Sequence, residues 1–157
     1  MSLLSQVPFL TEAVQRDKTI SQYWSRWLDQ LRTRINLCPE RIGTVSLTTQ
    51  AASISATDVP TPTLHTGLYR ISYYARITRA ATTSSSLTVS VGWTDRTASC
   101  SESGAALTGN TTATAQSGTF FLQVDSASAV TYATTYASSG GTTMQYALDV
   151  TVEEVRP

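Results

Sequence analysis

The chain has 157 residues, and its 11 basic and 11 acidic side chains give a formal net charge of zero. This balance argues against nucleic acid or an anionic membrane as the main partner, because both are bound through a basic surface. The length predicts one domain plus an extension.

The charged residues are unevenly distributed along the chain. Residues 1–42 hold ten of them, whereas the remaining 115 residues hold only twelve. Ser and Thr together account for 47 residues, so the second part gains its solubility mainly from hydroxyl groups. Such a surface suits packing against sister copies, since a buried charge is costly. A neutral surface on a monomer is the alternative interpretation.

Residues 1–18 are predicted to form an extended arm. Pro8 disfavours helical geometry at the residue before it, and the nearby Val7, Phe9 and Leu10 are apolar. We expect this arm to lie along another subunit, with a disordered terminus as the alternative. Residues 1–10 lack the basic start of a secretory signal, and no stretch reaches the roughly 18 apolar residues of a membrane span.

Residues 19–38 are predicted to form an amphipathic helix, and residues 19–42 an anchoring segment. Thr19 and Gln22 match a capping box, and Pro39 ends the pattern. Six large apolar residues recur at helical spacing along one face: Ile20, Trp24, Trp27, Leu28, Leu31 and Ile35. We expect this stripe to be covered by the β-domain, by symmetry-related helices or by a groove on another protein.

Residues 43–157 are predicted to form an antiparallel β-sandwich of seven or eight strands, jelly-roll-like or Ig-like. The period of apolar residues changes to two after Gly43, and the strongest strand signal runs from Tyr69 to Ile77. No crossover helix separates the strands. Residues 94–116 are interpreted as a polar linker in which Cys100 lies in a loop or a short strand, and Gly140-Gly141 as a hairpin turn.

No catalytic, metal or cofactor site is predicted. His65 is the single histidine and lies in a Pro-containing connection, and the chain has no nucleophile-elbow motif. Cys38 and Cys100 are expected to be free thiols in a reducing compartment. The candidate carboxylates of the β-region lie in no diagnostic motif: Asp58, Asp95, Glu102, Asp125, Asp149, Glu153 and Glu154. We therefore expect a protein that is not an enzyme.

A carbohydrate contact is the one binding function that single residues indicate. Tyr74 falls on the polar face of its strand, with Arg70 and Arg76 on the same face. A tyrosine beside arginine can stack on a sugar ring, and the alternative is a tyrosine that fills a protein interface. The sequon Asn110-Thr111-Thr112 is expected to be a turn.

The order of elements resembles a known family. An apolar arm precedes the helical sequence TISQYWSRWLDQL of residues 19–31, and a Ser/Thr-rich β-region follows it with GLYRISYY (67–74), LTVSVGW (87–93) and a closing strand at 146–155. This arrangement resembles small virion structural proteins of tailed bacteriophages. The resemblance covers most of the chain, and it is one of overall organisation.

The resemblance implies a non-enzymatic virion part that is assembled in the host cytoplasm. Such proteins include capsid decoration proteins, neck or tail appendages and short fibres, and they are often homotrimers. Residues 1–38 would dock onto other virion proteins or hold the oligomer together, with Trp24, Trp27, Leu28 and Leu31 as anchors. A carbohydrate- or receptor-binding module is the alternative function.

Overall fold

The computed structural model describes residues 22–36, 39–125 and 127–155, and within the helix it describes the side chains of residues 24–31. Residues Glu40–Val155 form one compact unit, distinct from the segment that ends at Pro39. Several sequence predictions fall outside the described residues: the arm with Val7, Phe9 and Leu10, and also Ile20, Cys38 and the side chain of Ile35.

Helix α1 spans Gln22–Asn36. Trp24 and Trp27 are half-buried, and their rings meet edge to face with centroids 5.3 Å apart. Leu31 is also half-buried, whereas Leu28 is 43% exposed. These four residues follow one face of the helix, since their spacing is three and four residues.

No helix in the described part of the chain has both the length and the apolar character to span a bilayer.

In the described part of the chain, eight strands form two four-stranded antiparallel sheets that face each other. Their order is β1-β8-β3-β6 in one sheet and β2-β7-β4-β5 in the other. The predicted antiparallel β-sandwich is therefore confirmed. The strands are β1 (Glu40–Gln50), β2 (Ile54–Asp58), β3 (Gly67–Arg79), β4 (Ser84–Asp95), β5 (Ala98–Ser103), β6 (Ala115–Val124), β7 (Thr131–Ser139) and β8 (Gln145–Glu154).

The strand order identifies the sandwich as a jelly roll. Only β4 and β5 are both consecutive in the chain and neighbours in a sheet, whereas each of the other connections crosses from one sheet to the other. This interleaving of eight strands is the jelly-roll arrangement, which the sequence left open against an Ig-like one. It also corrects the predicted hairpin at Gly140-Gly141, because these residues link β7 in one sheet to β8 in the other.

The β4–β5 hairpin lies inside the predicted polar linker, so the linker is wrong for Ala98–Ser103, and the short strand is the alternative that forms at Cys100. Arg96 and Thr97 form its two-residue turn, with φ values of 46° and 72°. Such turns usually contain Asn or Gly, and neither residue is present to signal the hairpin. The Thr97 N–H donates to Oδ2 of Asp125 at 3.0 Å, which anchors the turn to the end of β6.

The core lies between the two sheets, and β3 is its central strand. The side chains of Tyr69, Ile71, Tyr73, Ala75 and Ile77 all point inward and are at most 4% exposed. Each large apolar side chain that is fully buried contributes roughly 1.5–3 kcal/mol to folding. The facing and neighbouring strands complete the core with Leu87, Val89, Val91, Phe120, Leu122, Val124, Tyr146, Leu148, Val150 and Val152.

A chain of hydrogen bonds passes through the buried Tyr146 in this core. The Ile54 N–H donates to the Thr134 hydroxyl at 2.9 Å, Thr134 is 2.7 Å from the Tyr146 hydroxyl, and Tyr146 donates to the Ala52 carbonyl at 2.8 Å. The chain of bonds ties the β1–β2 connection to strands of both sheets. Burial also raises the pKa of Tyr146, although the bond to Thr134 partly lowers it again.

We predict that Tyr146→Phe lowers the free energy of unfolding by about 1–3 kcal/mol, because it removes the hydrogen bond to the Ala52 carbonyl and leaves the Thr134 hydroxyl bonded to the Ile54 N–H alone. Urea unfolding followed by fluorescence measures the change. Tyr74→Phe is the matched control, since the Tyr74 side chain is exposed, and it should change stability by less than about 0.5 kcal/mol. Equal effects of the two substitutions would contradict the importance of the buried chain.

Candidate functional site

The outer face of β3 carries the side chains that the sequence singled out for binding. Because Tyr69, Ile71 and Tyr73 point into the core, the alternation of the strand places Arg70, Tyr74 and Arg76 on the opposite face. All three stand on the outer surface of the β1-β8-β3-β6 sheet. The structure therefore brings these candidate residues together on one strand.

Arg70 is engaged in an ion pair on this face. It lies opposite Glu153 on β8 and opposite Phe121 on β6. Its Nε donates to Oε2 of Glu153 at 2.7 Å, and both side chains keep partial contact with solvent. A pair of this kind contributes only about 0–1 kcal/mol to stability. Its main effect is to neutralise the charge of Arg70 beside the apolar ring of Phe121.

Tyr74 lies on the same outer face of β3, and its side chain is 46% exposed. Its neighbours across the sheet are Ser117 on β6 and Asp149 on β8. Both are smaller than tyrosine, so the ring is accessible from above. Arg76 is also exposed, and Ala115 and Ala147 flank it.

Phe121 and Leu68 belong to the same face, and neither residue was predicted from the sequence to lie at a binding site. Phe121 is 61% exposed and Leu68 is 42% exposed. Leu68 lies opposite Gln123, two residues from Phe121, which puts the two apolar side chains in diagonal contact range. We call Leu68, Arg70, Tyr74 and Phe121 the β3–β6 patch.

A signal for Phe121 was present in the sequence. Phe120 and Phe121 are adjacent, so only one of them can point into the core of a two-layer sandwich. Assigning Phe120 to the inner face, as its alternation with Leu122 and Val124 indicates, leaves Phe121 on the outside. In the described sandwich, the large apolar side chains with high exposure are Leu68, Tyr74 and Phe121, and all of them belong to the patch.

The outer face of the other sheet is different in character. Its side chains on β4 and β7 are Ser, Thr and Ala, and they carry no charge. Hydroxyl pairs link its strands, with Ser90 and Ser103 at 2.8 Å and Ser84 and Ser139 at 2.7 Å. Some hydroxyl groups of this face thus bond to one another, whereas the β3–β6 patch exposes aromatic rings.

The other titratable candidates within the described residues are His65, Cys100 and the carboxylates. His65 is exposed, and its backbone N–H and carbonyl are bonded to the Tyr69 hydroxyl at 3.2 and 2.9 Å. Among the described residues, no group of three or more His, Cys, Asp or Glu side chains is placed to hold a metal ion. Cys100 is a free thiol and is half-buried.

A groove of about 450 Å³ lies at one end of the sandwich, between residues 58–64 and residues 127–129. Prolines, threonines and small residues line most of it, and Asp58 supplies the one carboxylate among the lining residues. Acid–base hydrolysis of a glycosidic bond requires two carboxylates. The lining of this groove therefore does not provide that chemistry.

Asn110 of the sequon has a structural role. Its Oδ1 accepts from the Ala81 N–H at 2.8 Å and from the Ser85 hydroxyl at 3.0 Å, and its Nδ2 donates to the Ala81 carbonyl at 2.9 Å. The amide nitrogen, to which a glycan would be attached, is thus engaged within the protein. This side chain ties the β5–β6 connection to the β3–β4 connection.

No protein-family model matches the sequence. No curated protein matches it either.

Solved structures share the β-sandwich shape at low sequence identity. The globular domain of the zebrafish complement 1qA protein is 13% identical with a TM-score of 0.43, and the match covers 74% of this chain and 98% of that one. The PRD1 vertex protein P5 is 12% identical with a TM-score of 0.44, covering 74% and 99%. TmCBM61, solved with beta-1,4-galactotriose, is 10% identical with a TM-score of 0.41, covering 71% and 70%.

These similarities concern the fold alone. The matched proteins include a complement domain, a viral vertex protein and a module solved with a bound sugar, so their functions differ from one another. The function of this chain has to be argued from its own residues.

We predict opposite outcomes for the two adjacent phenylalanines. Phe120→Ala should lower the free energy of unfolding by about 3–5 kcal/mol, because Phe120 is buried and stacks on Tyr73 at 5.7 Å. Phe121→Ala should change it by less than about 0.5 kcal/mol, because that ring lies on the surface. Urea unfolding at low protein concentration measures both. A large loss of stability in Phe121→Ala would show that the ring is part of the core.

Proposed function

We propose that this chain is a non-enzymatic structural protein of a phage virion. In this proposal it is a subunit of a homo-oligomer that serves as a capsid decoration protein or as a neck or tail appendage, and it is assembled in the host cytoplasm. The organisation that the sequence shares with small virion proteins motivates the assignment. Three copies are the favoured number on the same ground, and nucleic acid and membranes are not partners.

The observation that carries the proposal is the apolar stripe of α1. Leu28 is 43% exposed, and it stands on the same helical face as the paired rings of Trp24 and Trp27. Two tryptophans and two leucines on 15 residues of helix offer a large apolar contact for little ordering cost. Buried aromatic residues tend to dominate the energy of protein interfaces. The helix is therefore the proposed anchor, together with the arm that precedes it.

The surface of the sandwich fits a role in an assembly. Its second sheet is covered by hydroxyl groups and alanines, and the first carries the partly apolar β3–β6 patch. Neither face presents an excess of one charge, so copies of the protein can approach one another without strong repulsion. The sandwich would then project from the particle or lie between neighbouring subunits.

We predict that Trp24→Ala combined with Trp27→Ala weakens assembly while the sandwich stays folded. Loss of two central aromatic anchors should cost roughly 4 kcal/mol or more, about a thousandfold in the dissociation constant. Native mass spectrometry of the full chain measures the copy number, and circular dichroism checks the fold.

The matched control is Arg26→Ala combined with Gln30→Ala, on the exposed side of the same helix. This variant should assemble as the unmodified protein does. A monomeric unmodified chain, or a tryptophan variant whose sandwich unfolds, would refute the anchoring role.

A carbohydrate- or host-receptor-binding module is the second candidate. The exposed ring of Tyr74 favours this candidate, because Arg76 lies on the same face of β3 and the residues opposite Tyr74 on both neighbouring strands are smaller than tyrosine. A sugar stacks its apolar face on an aromatic ring, and arginine can donate hydrogen bonds to its hydroxyl groups. This activity is compatible with a virion appendage that contacts a host surface.

We predict that Tyr74→Ala abolishes glycan binding if the patch serves this function, whereas Tyr74→Phe retains most of it, because phenylalanine preserves the stacking face. A glycan array on the unmodified protein identifies the ligand, and calorimetry then compares the two variants. An array without binding, or a Tyr74→Ala variant with unchanged affinity, would remove the carbohydrate candidate.

A further inference from the structure

Strand β6 is an edge strand whose main chain is open for pairing. It lies at the end of its sheet, next to β3 alone. The Ile77 N–H donates to the Thr114 carbonyl at 3.0 Å, which fixes which residues of β3 and β6 exchange hydrogen bonds. By the alternation of antiparallel pairs, the even-numbered residues of β6 bond to β3. The odd-numbered ones direct their N–H and carbonyl groups away from the sheet: Ala115, Ser117, Thr119, Phe121 and Gln123.

These outward groups have no partner from elsewhere in the described residues. Outside the ladder with β3, no hydrogen bond within that part of the chain reaches the main chain of the five odd-numbered residues. The next residue of the same series, Asp125, donates its N–H to the Thr94 carbonyl at 3.0 Å. Among the described residues, the edge is therefore closed just beyond its end and open along its length.

The other edge strands carry features that discourage pairing, and β6 does not. Strand β1 contains Glu40 and Arg41 and has two shifts of register. Strand β2 has only five residues with one shift, and β5 has six residues with Glu102 among them. Charges, bulges and short length are the usual means of protecting an edge.

Strand β6 has ten residues without a single charge or proline, and it keeps ten successive partners on β3 without a shift. A long, regular and partly apolar edge of this kind is a template for another strand. Native proteins rarely leave such an edge unpaired, so we expect this one to have a partner.

We propose that β6 pairs antiparallel with β6 of a second copy of this chain, around a two-fold axis at Thr119. In the register with the greatest overlap, Thr119 faces Thr119 of the second copy, Phe121 faces Ser117, and Gln123 faces Ala115. All five open residues then exchange hydrogen bonds, and the two sheets join into one of eight strands. The contact is isologous, as two-fold interfaces are.

The side chains of the strand fit its own copy. Residues near a two-fold axis meet themselves, so a charge there would face a like charge, and β6 carries none. Ser117 lies between Phe121 of the second copy and its own neighbour Tyr74 on β3. The small serine lets the two exposed rings lean over it from either side. In each half of the dimer, the pairing thus brings Phe121 of one copy close to Tyr74 of the other, so that their apolar surfaces can pack together.

The two-fold contact involves the sandwich alone and does not depend on whether the protein belongs to a virion. It adds a two-fold contact to any symmetry that the N-terminal segment imposes. Because the open groups are main-chain groups, a strand of a different protein is the rival occupant, and the test distinguishes it.

Thr119→Pro tests the pairing in the full chain. The substitution removes the outward N–H of residue 119 and leaves every hydrogen bond between β6 and β3 in place. Loss of the threonine side chain removes only its 3.4 Å hydroxyl contact with Ser72. Ser46→Pro is the matched control, because Ser46 directs its N–H to the open side of β1 at the other edge of the same sheet. Phe121→Lys is a second variant that leaves the main chain intact and places charge beside the axis.

Sedimentation velocity and amide hydrogen exchange over a range of protein concentrations give the readout. We expect the Thr119 and Phe121 amides of the unmodified protein to gain protection as concentration rises. Thr119→Pro removes two hydrogen bonds, one from each copy, and should raise the dissociation constant of this step about tenfold or more. Phe121→Lys should weaken it as well, and Ser46→Pro should leave it within about twofold.

Three results would overturn the proposal. Both amides could exchange at one rate at all concentrations, or Thr119→Pro could associate as tightly as Ser46→Pro. The two amides could also become protected from exchange only after another protein is added, which would show that a strand of that protein pairs with β6. If Thr119→Pro does not fold, unchanged association of the folded Phe121→Lys variant overturns the proposal in its place.

Discussion

The alternation of side chains along β3 is the constraint on which the rest of the structure depends. Its odd-numbered residues from Tyr69 to Ile77 are buried, and they hold the strand between β8 and β6 in a fixed register. A slip by one residue would move this whole set into water and expose the core. Such a slip would lose the burial free energy of several large side chains, so the register is strongly determined.

The surface chemistry follows from that register. The same alternation sends Arg70, Tyr74 and Arg76 outward, sets Glu153 opposite Arg70, and leaves Phe121 on the outside of β6. It also decides which main-chain groups of β6 face solvent. The ion pair, the exposed rings and the open edge are therefore consequences of one buried strand. A single substitution at the surface can test each of them without disturbing the core, as the adjacent Phe120 and Phe121 illustrate.

The protein separates its two apolar surfaces along the chain. One is the stripe of α1, and the other is the β3–β6 patch on the sandwich. A proposal of anchoring uses the first, and a proposal of two-fold pairing uses the second. The two surfaces belong to different compact units. An assembly that combined them would link subunits through both a helix and a sheet edge, which is a simple way to extend a lattice of identical parts.

The amino-acid sequence was enough to predict the helix, the β-sandwich and most strands, because burial of one face imposes a period of 3.6 or 2 on apolar residues. It also placed Arg70, Tyr74 and Arg76 on a common face, since alternation is a local property. It left β5 open as a loop or a short strand, because the turn at Arg96-Thr97 lacks the usual residues, and it misread Gly140-Gly141 as a hairpin. The jelly-roll order emerges only from the folded structure, because pairing between distant strands leaves no local pattern. The pairing of Arg70 with Glu153 and the open edge of β6 depend on that same order, and so they too could be seen only in the folded chain.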